Sequence, residues 1–167
     1  MTDSLTEIDE NLLRRAFKLA QQAREQGHRP FGTVVASAGG RILAEGGSGG
    51  SSTRVLEHSE INTLRALEAA GTGRSVLASA TIYCSAEPCP MCAGAIFESG
   101  IGRVVYGFSL NAVLRLRREQ GEKGLSLSCR AVLQSADHPP GIIGPCLEDE
   151  ASAAHREYWT RPMRESH

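Results

Sequence analysis

Residues 78–107 read ASATIYCSAEPCPMCAGAIFESGIGRVVYG. The first part, Ala78 to Cys84, is short, apolar and β-branched, which predicts a strand. Pro90 to Ser99 predicts a helix, with Pro90 at its first position and Gly100 as its stop. Ile101 to Gly107 predicts a second strand. A strand, a ten-residue helix and a further strand within 30 residues point to a sheet with helices packed on its faces.

The same pattern extends outward. Upstream, His58 to Ala70 predicts a helix with Ile61, Leu64 and Leu67 as its buried stripe and Gly71 as its end. Before it, Phe31–Ser37 and Arg41–Glu45 predict two short strands joined at Gly39-Gly40, a hairpin turn. A first helix is expected over Asp9 to Gln26, where Leu12, Ala16, Leu19 and Ala23 fall at helical spacing. Downstream, Leu110–Gln120 predicts a helix, Leu125–Leu133 a strand and Leu147–Trp159 a last helix. The hairpin makes the five-stranded sheet mixed. The expected class is therefore α/β, in one domain over residues 1–167. The glycine-rich run Gly46 to Ser52 predicts a loop.

Composition narrows the function. The chain has 167 residues, 41% of them hydrophobic and 22% charged, with a formal net charge of −1. A general nucleic-acid binder usually carries a basic face, so nucleic acid is a disfavoured partner. No apolar run is long enough for a membrane span. The N-terminus, Met1 to Glu7, is acidic and lacks the pattern of a signal peptide. A cytoplasmic setting is expected. The cysteines are Cys84, Cys89, Cys92, Cys129 and Cys146, an odd number that disfavours a disulfide framework in a reducing compartment.

Two segments carry chemistry: His58-Ser59-Glu60 and Pro88-Cys89-Pro90-Met91-Cys92. Cys89 and Cys92 lie one helical turn apart, so both sulfurs reach one point. They sit at the start of a helix, where the dipole favours thiolates. Two thiolates and the His58 imidazole are good zinc ligands, and three protein ligands without a fourth suit a catalytic zinc with one open position. Zinc lowers the pKa of its bound water from about 15.7 to about 7, making a hydroxide available for attack on an electron-poor ring carbon. Glu60 is the candidate proton shuttle: it accepts a proton from that water, protonates a ring nitrogen, and then protonates the departing amine in a second transfer. The order His-x-Glu, then Pro-Cys-x-x-Cys, is the signature of zinc nucleobase deaminases.

On Pro30-Phe31-Gly32, His58-Ser59-Glu60-Ile61 and Glu87 to Ile96, the sequence resembles the cytidine and deoxycytidylate deaminase-like zinc enzymes. The nearest branch holds cytosine deaminase, bacterial guanine deaminase and tRNA adenosine deaminase. The resemblance spans about Ala16 to Gly107. It implies a three-layer α/β/α sandwich, zinc on His58, Cys89 and Cys92, Glu60 as proton shuttle, and a homodimer or higher oligomer. The chain departs from the branch in three places. Where the branch carries an asparagine after the second strand, this chain has Glu45-Gly46-Gly47-Ser48, with Ser48 the candidate in its place. The usual His-Ala-Glu is His58-Ser59-Glu60, and the usual Phe-Gly-Ala is Phe31-Gly32-Thr33.

Further substrate contacts are sought among Phe31, Ser48, Ser59, Phe108 and Trp159. Phe31 either lines a pocket or packs in the core. Phe108 is placed to stack on a flat ring. Trp159 is either a lid or part of a helix docked on the core. Cys84 and Cys129 read as core thiols, and Cys146 is not expected to be a ligand. Arg115, Arg117 and Arg118 form either a solvated helix face or a phosphate contact. The expected activity is hydrolytic deamination of a free base such as guanine or cytosine, a nucleoside or a triazine. Two alternatives are tRNA adenosine-to-inosine editing and a non-catalytic zinc-stabilised module. Glu60 argues against the latter, since a structural site needs no carboxylate beside the metal.

Overall fold

A computed structural model describes residues 4–50 and 54–160. Among them the elements run α1 (Glu7–Glu25), β1 (Gly32–Ala36), β2 (Ile42–Gly47), α2 (Ser59–Ala69), α3 (Arg74–Ala78), β3 (Thr81–Ala86), α4 (Pro90–Ser99), β4 (Arg103–Phe108), α5 (Leu110–Glu119), α6 (Cys129–Gln134), β5 (Gly141–Ile143) and α7 (Glu148–Trp159). The sheet order is β2-β1-β3-β4-β5. β1 is antiparallel to β2 and β3, whereas β3, β4 and β5 run parallel, so the sheet is mixed.

Alternation along the central strands builds a core on each face. Val35, Ile82, Cys84, Val104 and Tyr106 point to one side, against Leu64 and Leu67 of α2, Ala93 and Ile96 of α4 and Cys129 and Leu133 of α6. Val34, Ala36, Tyr83 and Val105 point to the other, against Leu12, Leu13 and Ala16 of α1. α7 packs on α1, α5 and β4 on that second side. The result is a three-layer α/β/α sandwich. α1 comes so close to β1 that Gly32 faces the Ala16 carbonyl and Leu19 with no room for a side chain.

A buried ionic network ties α1 to the sheet. The Asp9 carboxylate, only 2% exposed, accepts from the Tyr83 hydroxyl at 2.7 Å and from Arg103 at 2.7 and 2.9 Å. It also closes a capping box with Thr6 at the start of the helix.

The C-terminal third corrects the expected pattern. Leu125–Leu133 is not a strand. Leu125 and Leu127 are 69% and 54% exposed, while Cys129 and Leu133 are buried one turn apart on α6. The alternating Leu125, Leu127, Cys129, Ala131, Leu133 imitates a half-buried strand, but Ser128 accepts from the Ala131 N–H and starts a helix. The fifth strand is Gly141–Ile143, a three-residue edge strand after Pro139-Pro140. α3 was not anticipated: Leu77 is its single buried residue, too few for a periodic signal. The expected glycine loop starts later, because Gly46 and Gly47 pair with Thr33 and Gly32 as the end of β2, and its Ser51 and Ser52 lie outside the described residues.

Candidate active site

One end of the sheet collects every segment singled out above. β1 runs opposite to β3 and β4, so its start lies beside their C-terminal ends, and Gly47 at the end of β2 pairs with Gly32. Phe31, Ser48, Glu87 and Cys89 are thereby gathered at one rim. The Ser48 N–H donates to the Phe31 carbonyl at 3.0 Å, and the Glu87 N–H donates to the Phe108 carbonyl at 2.8 Å. Sites in α/β folds recur at this position, outside the carboxyl ends of parallel strands.

His58 and Cys89 are the N-cap residues of α2 and α4. Both have extended backbones, and neither side chain caps its helix. The imidazole and thiol are thus free to converge. His58 Nδ1 lies 3.6 Å from Cys89 Sγ and 3.4 Å from Cys92 Sγ, and one donor atom from each residue falls within a 4.8 Å span. Two soft sulfurs and an imidazole nitrogen are a donor set suited to zinc. The neighbouring Cys92 thiol pushes the Cys89 thiol down to about 4 against the opposing effect of burial, and Cys92 itself is held well above its ordinary value by Cys89 and by burial. The His58 pKa is raised by its bond to Cys89, against burial.

Glu60 sits in the first turn of α2 and is 5% exposed. Two residues apart on a helix, side chains point away from each other. His58 precedes the helix in an extended conformation, so its imidazole and the Glu60 carboxylate line the same cavity. Burial raises the Glu60 pKa, partly opposed by its own backbone N–H. Ser59 donates to Glu60 Oε2 at 3.2 Å and meets Thr33 Oγ1 at 2.8 Å, so a hydroxyl chain orients the carboxylate.

The cavity has a volume of about 610 Å³. His58, Glu60 and Cys89 line it, as do Phe31 and Ser48. The other candidates lie elsewhere. Ser59 is buried behind Glu60, and Phe108 is buried against His155 instead of facing the cavity. Trp159 is 4% exposed and packed on His155, a docked helix end and not a lid, while its neighbour Tyr158 lines the cavity. Cys84 and Cys129 are buried in the core.

Arg29 and Arg54 in the wall carried no local signal, whereas Arg117 belongs to the basic run of Arg115, Arg117 and Arg118. Arg29, Arg54 and Arg117 line the cavity, and each is paired with a carboxylate: Arg29 and Arg117 with Glu122, Arg54 with Glu57. Glu87 accepts from the Leu110 N–H at 2.8 Å and the Cys129 N–H at 3.0 Å, pinning the starts of α5 and α6 to the rim. Its place just before Pro88-Cys89 is the one clue the sequence offered.

Residues 6–108 match the cytidine and deoxycytidylate deaminase zinc-binding region. The chain belongs to this family. It is a zinc enzyme, a hydrolase that acts on a C–N bond. Over 156 residues the deaminase is 37% identical to the "Probable cytosine deaminase" of Schizosaccharomyces pombe, covering 93% of this chain and 94% of that one. It is 38% identical over 100 residues to the tRNA-specific adenosine deaminase of Bacillus subtilis, covering 59% of this chain and 61% of the relative. The guanine deaminase of Nitrosomonas europaea shares the fold, with a TM-score of 0.71 at 20% identity over 96% of this chain and 99% of that structure.

Proposed function

We propose that the enzyme deaminates a small nucleobase-like ring, with a free base such as cytosine or guanine as the first candidate, and that Glu60 moves the protons. The observation that carries this is the placing of a buried carboxylate, Glu60, in the same cavity as the His58 and Cys89 donors. Zinc held by His58, Cys89 and Cys92 supplies Lewis acidity and an activated water. Glu60 takes a proton from the attacking water and gives it to the ring nitrogen, then takes the second proton from the hydroxyl newly bonded to the ring carbon and gives it to the amine, which leaves as ammonia while that carbon becomes a carbonyl. A carboxylate that works in both directions needs a pKa nearer neutrality, and burial pushes Glu60 that way. Phe31 offers a flat apolar surface to the ring.

A cavity of about 610 Å³ is of the size that takes small molecules. Affinity for RNA comes largely from cations that neutralise phosphates, and the three arginines of this wall share the carboxylates of Glu57 and Glu122, which leaves a single unmatched positive charge. The fission yeast relative, similar over nearly the whole chain, supports a free base. The Bacillus relative keeps tRNA adenosine as the alternative. A cytoplasmic homodimer of one domain per chain belongs to the same reading. Among the described residues no helix is long and apolar enough to cross a membrane.

The test is ammonia release by zinc-loaded protein from cytosine, guanine, adenine, their nucleosides, triazines and a tRNA anticodon stem-loop. Turnover of a free base, nucleoside or triazine supports the proposal. Turnover of the RNA alone replaces it with editing.

A further inference from the structure

The C-terminal helix reaches the cavity wall without placing His155 or Trp159 on it. His155 is fully buried on α7. Its ring lies 5.1 Å from Phe31, edge to face at 75°, and 5.0 Å from Phe108 at 39°. The Trp159 indole N–H donates to His155 Nδ1 at 3.2 Å. The guanidinium of Arg29 lies over the Trp159 ring, 5.7 Å from its centroid. Phe31 and Arg29 both line the cavity.

An apolar side chain would fill the space between two phenyl rings without burying polar nitrogens. The imidazole adds an acceptor for the indole N–H, and that bond fixes the plane of the His155 ring. The ring plane in turn sets the edge-to-face contact with Phe31, since such contacts depend on orientation. Resting on the deaminase reading above, we propose that His155 and Trp159 are positioning residues that set the Phe31 wall of the cavity, and through it how tightly a flat ring is held. Burial keeps the His155 imidazole neutral, with its pKa pushed down to about 3, so Nδ1 remains an acceptor across the working pH range.

The experiment is a double-mutant cycle with Trp159→Phe, His155→Phe and the two combined. Trp159→Phe leaves both His155 nitrogens unpaired, since Nε2 already has no partner; His155→Phe leaves the indole N–H alone but removes the unpaired Nε2, and the pair removes donor and acceptor together. Melting temperature should therefore fall in Trp159→Phe and recover when His155→Phe is added. A positioning role predicts that KM does not recover with it. For cytosine or guanine, KM should rise about tenfold in all three variants with kcat within about twofold, the pattern of lost binding with the chemistry intact. Zinc content should stay at the wild-type level, and a crystal structure of zinc-loaded Trp159→Phe should show the Phe31 ring displaced. KM that returns to the wild-type value in the double variant, tracking melting temperature, would mean a structural role only and overturn the proposal. An unmoved Phe31 ring would do the same. Should the wild-type protein release ammonia from neither base, the free-base reading fails on its own, and the Phe31 position in the Trp159→Phe crystal still decides whether the brace exists.

Discussion

Replacing Asp9 with asparagine tests how the first helix is held to the sheet. The carboxylate accepts four hydrogen bonds, from Tyr83 at 2.7 Å, from Arg103 at 2.7 and 2.9 Å and from the Thr6 N–H at 2.9 Å. Asparagine keeps one acceptor oxygen and turns an NH₂ group towards donors, leaving the Arg103 charge without its partner. Removing one member of a buried ion pair costs about 3–5 kcal/mol. The Arg103 side chain retains 29% of its exposure, so water recovers part of that, and about 2–3 kcal/mol is expected. For a chain of this length each kcal/mol shifts the melting temperature by about 2–4 °C, so the variant should melt about 5–10 °C lower at pH 7.

The pH dependence follows from the same contacts. Burial pushes the Asp9 carboxyl up, but Arg103, the Thr6 N–H and the Tyr83 hydroxyl outweigh it and hold the pKa far below the ordinary 3.8. A carboxylate depressed on folding contributes its full stability above the unfolded pKa of about 3.9 and loses it as the pH falls below, because only the unfolded chain takes up the proton there. The gap between wild type and Asp9→Asn should hold constant from pH 7 to about pH 4, then narrow by up to about 1.4 kcal/mol per pH unit. Thermal melts of both zinc-loaded proteins by circular dichroism measure this, and the difference between them cancels the acid release of metal common to both. A gap under about 1 °C at pH 7, or one that stays constant below pH 4, would refute the network as an anchor.

Three further outcomes are expected. Glu60→Gln should keep its zinc and lose about 10²–10⁴-fold in turnover, the usual contribution of a positioned acid–base group; near-normal ammonia release would remove it as the shuttle. Cys89→Ala should purify without stoichiometric zinc, as measured by plasma mass spectrometry, since two ligands do not make the site; full metal content would overturn the ligand set. Gly32→Ala should lower the urea midpoint by the equivalent of about 1–3 kcal/mol, because the new methyl meets the Ala16 carbonyl and the Leu19 Cβ and forces α1 away from β1; an unchanged midpoint would show that the helix shifts freely.

Legibility in the sequence follows how local each signal is. Helix α4 is bounded as expected, at Pro90 and Ser99, because both ends are fixed by backbone chemistry: proline at the first position and Gly100 at φ 80° after the last. The β5 strand has only three residues and is held by pairing with β4, a contact with residues almost 40 positions earlier. No window of sequence around it contains that partner. The cavity wall behaves in the same way. Arg29 and Arg117 meet through Glu122, and Tyr158 joins them from the last helix, so they are neighbours only once the sheet and its helices are assembled. Phe108 and Trp159 were aromatic residues at plausible positions, but residue type alone does not say which side of a layer a ring faces.

The metal donors were legible because their spacing is local, His58-x-Glu60 and Cys89-x-x-Cys92, and the structure adds that His58 and Cys89 stand where a helix cap is expected. Helix starts favour Ser, Thr, Asp or Asn, whose side chains bond the first free N–H groups, an interaction worth about 1 kcal/mol. Thr6, Ser109 and Ser128 do this in α1, α5 and α6. His58 and Cys89 hold the same position in α2 and α4, and their side chains make no such bond. Both helices forgo a cap at the end where uncapped N–H groups and the helix dipole create positive potential, which stabilises the thiolate of Cys89 and the carboxylate of Glu60. The extended backbone of an N-cap residue also places His58 off the helical spiral, which is what lets Glu60, two positions later, enter the same cavity. In this chain the helix starts at His58 and Cys89, each followed within a turn by a carboxylate or a second thiol, hold the reactive groups, whereas the uncapped starts at Gly73 and Leu147 hold none. The His58 and Cys89 starts bring three donors within 4.8 Å of one another.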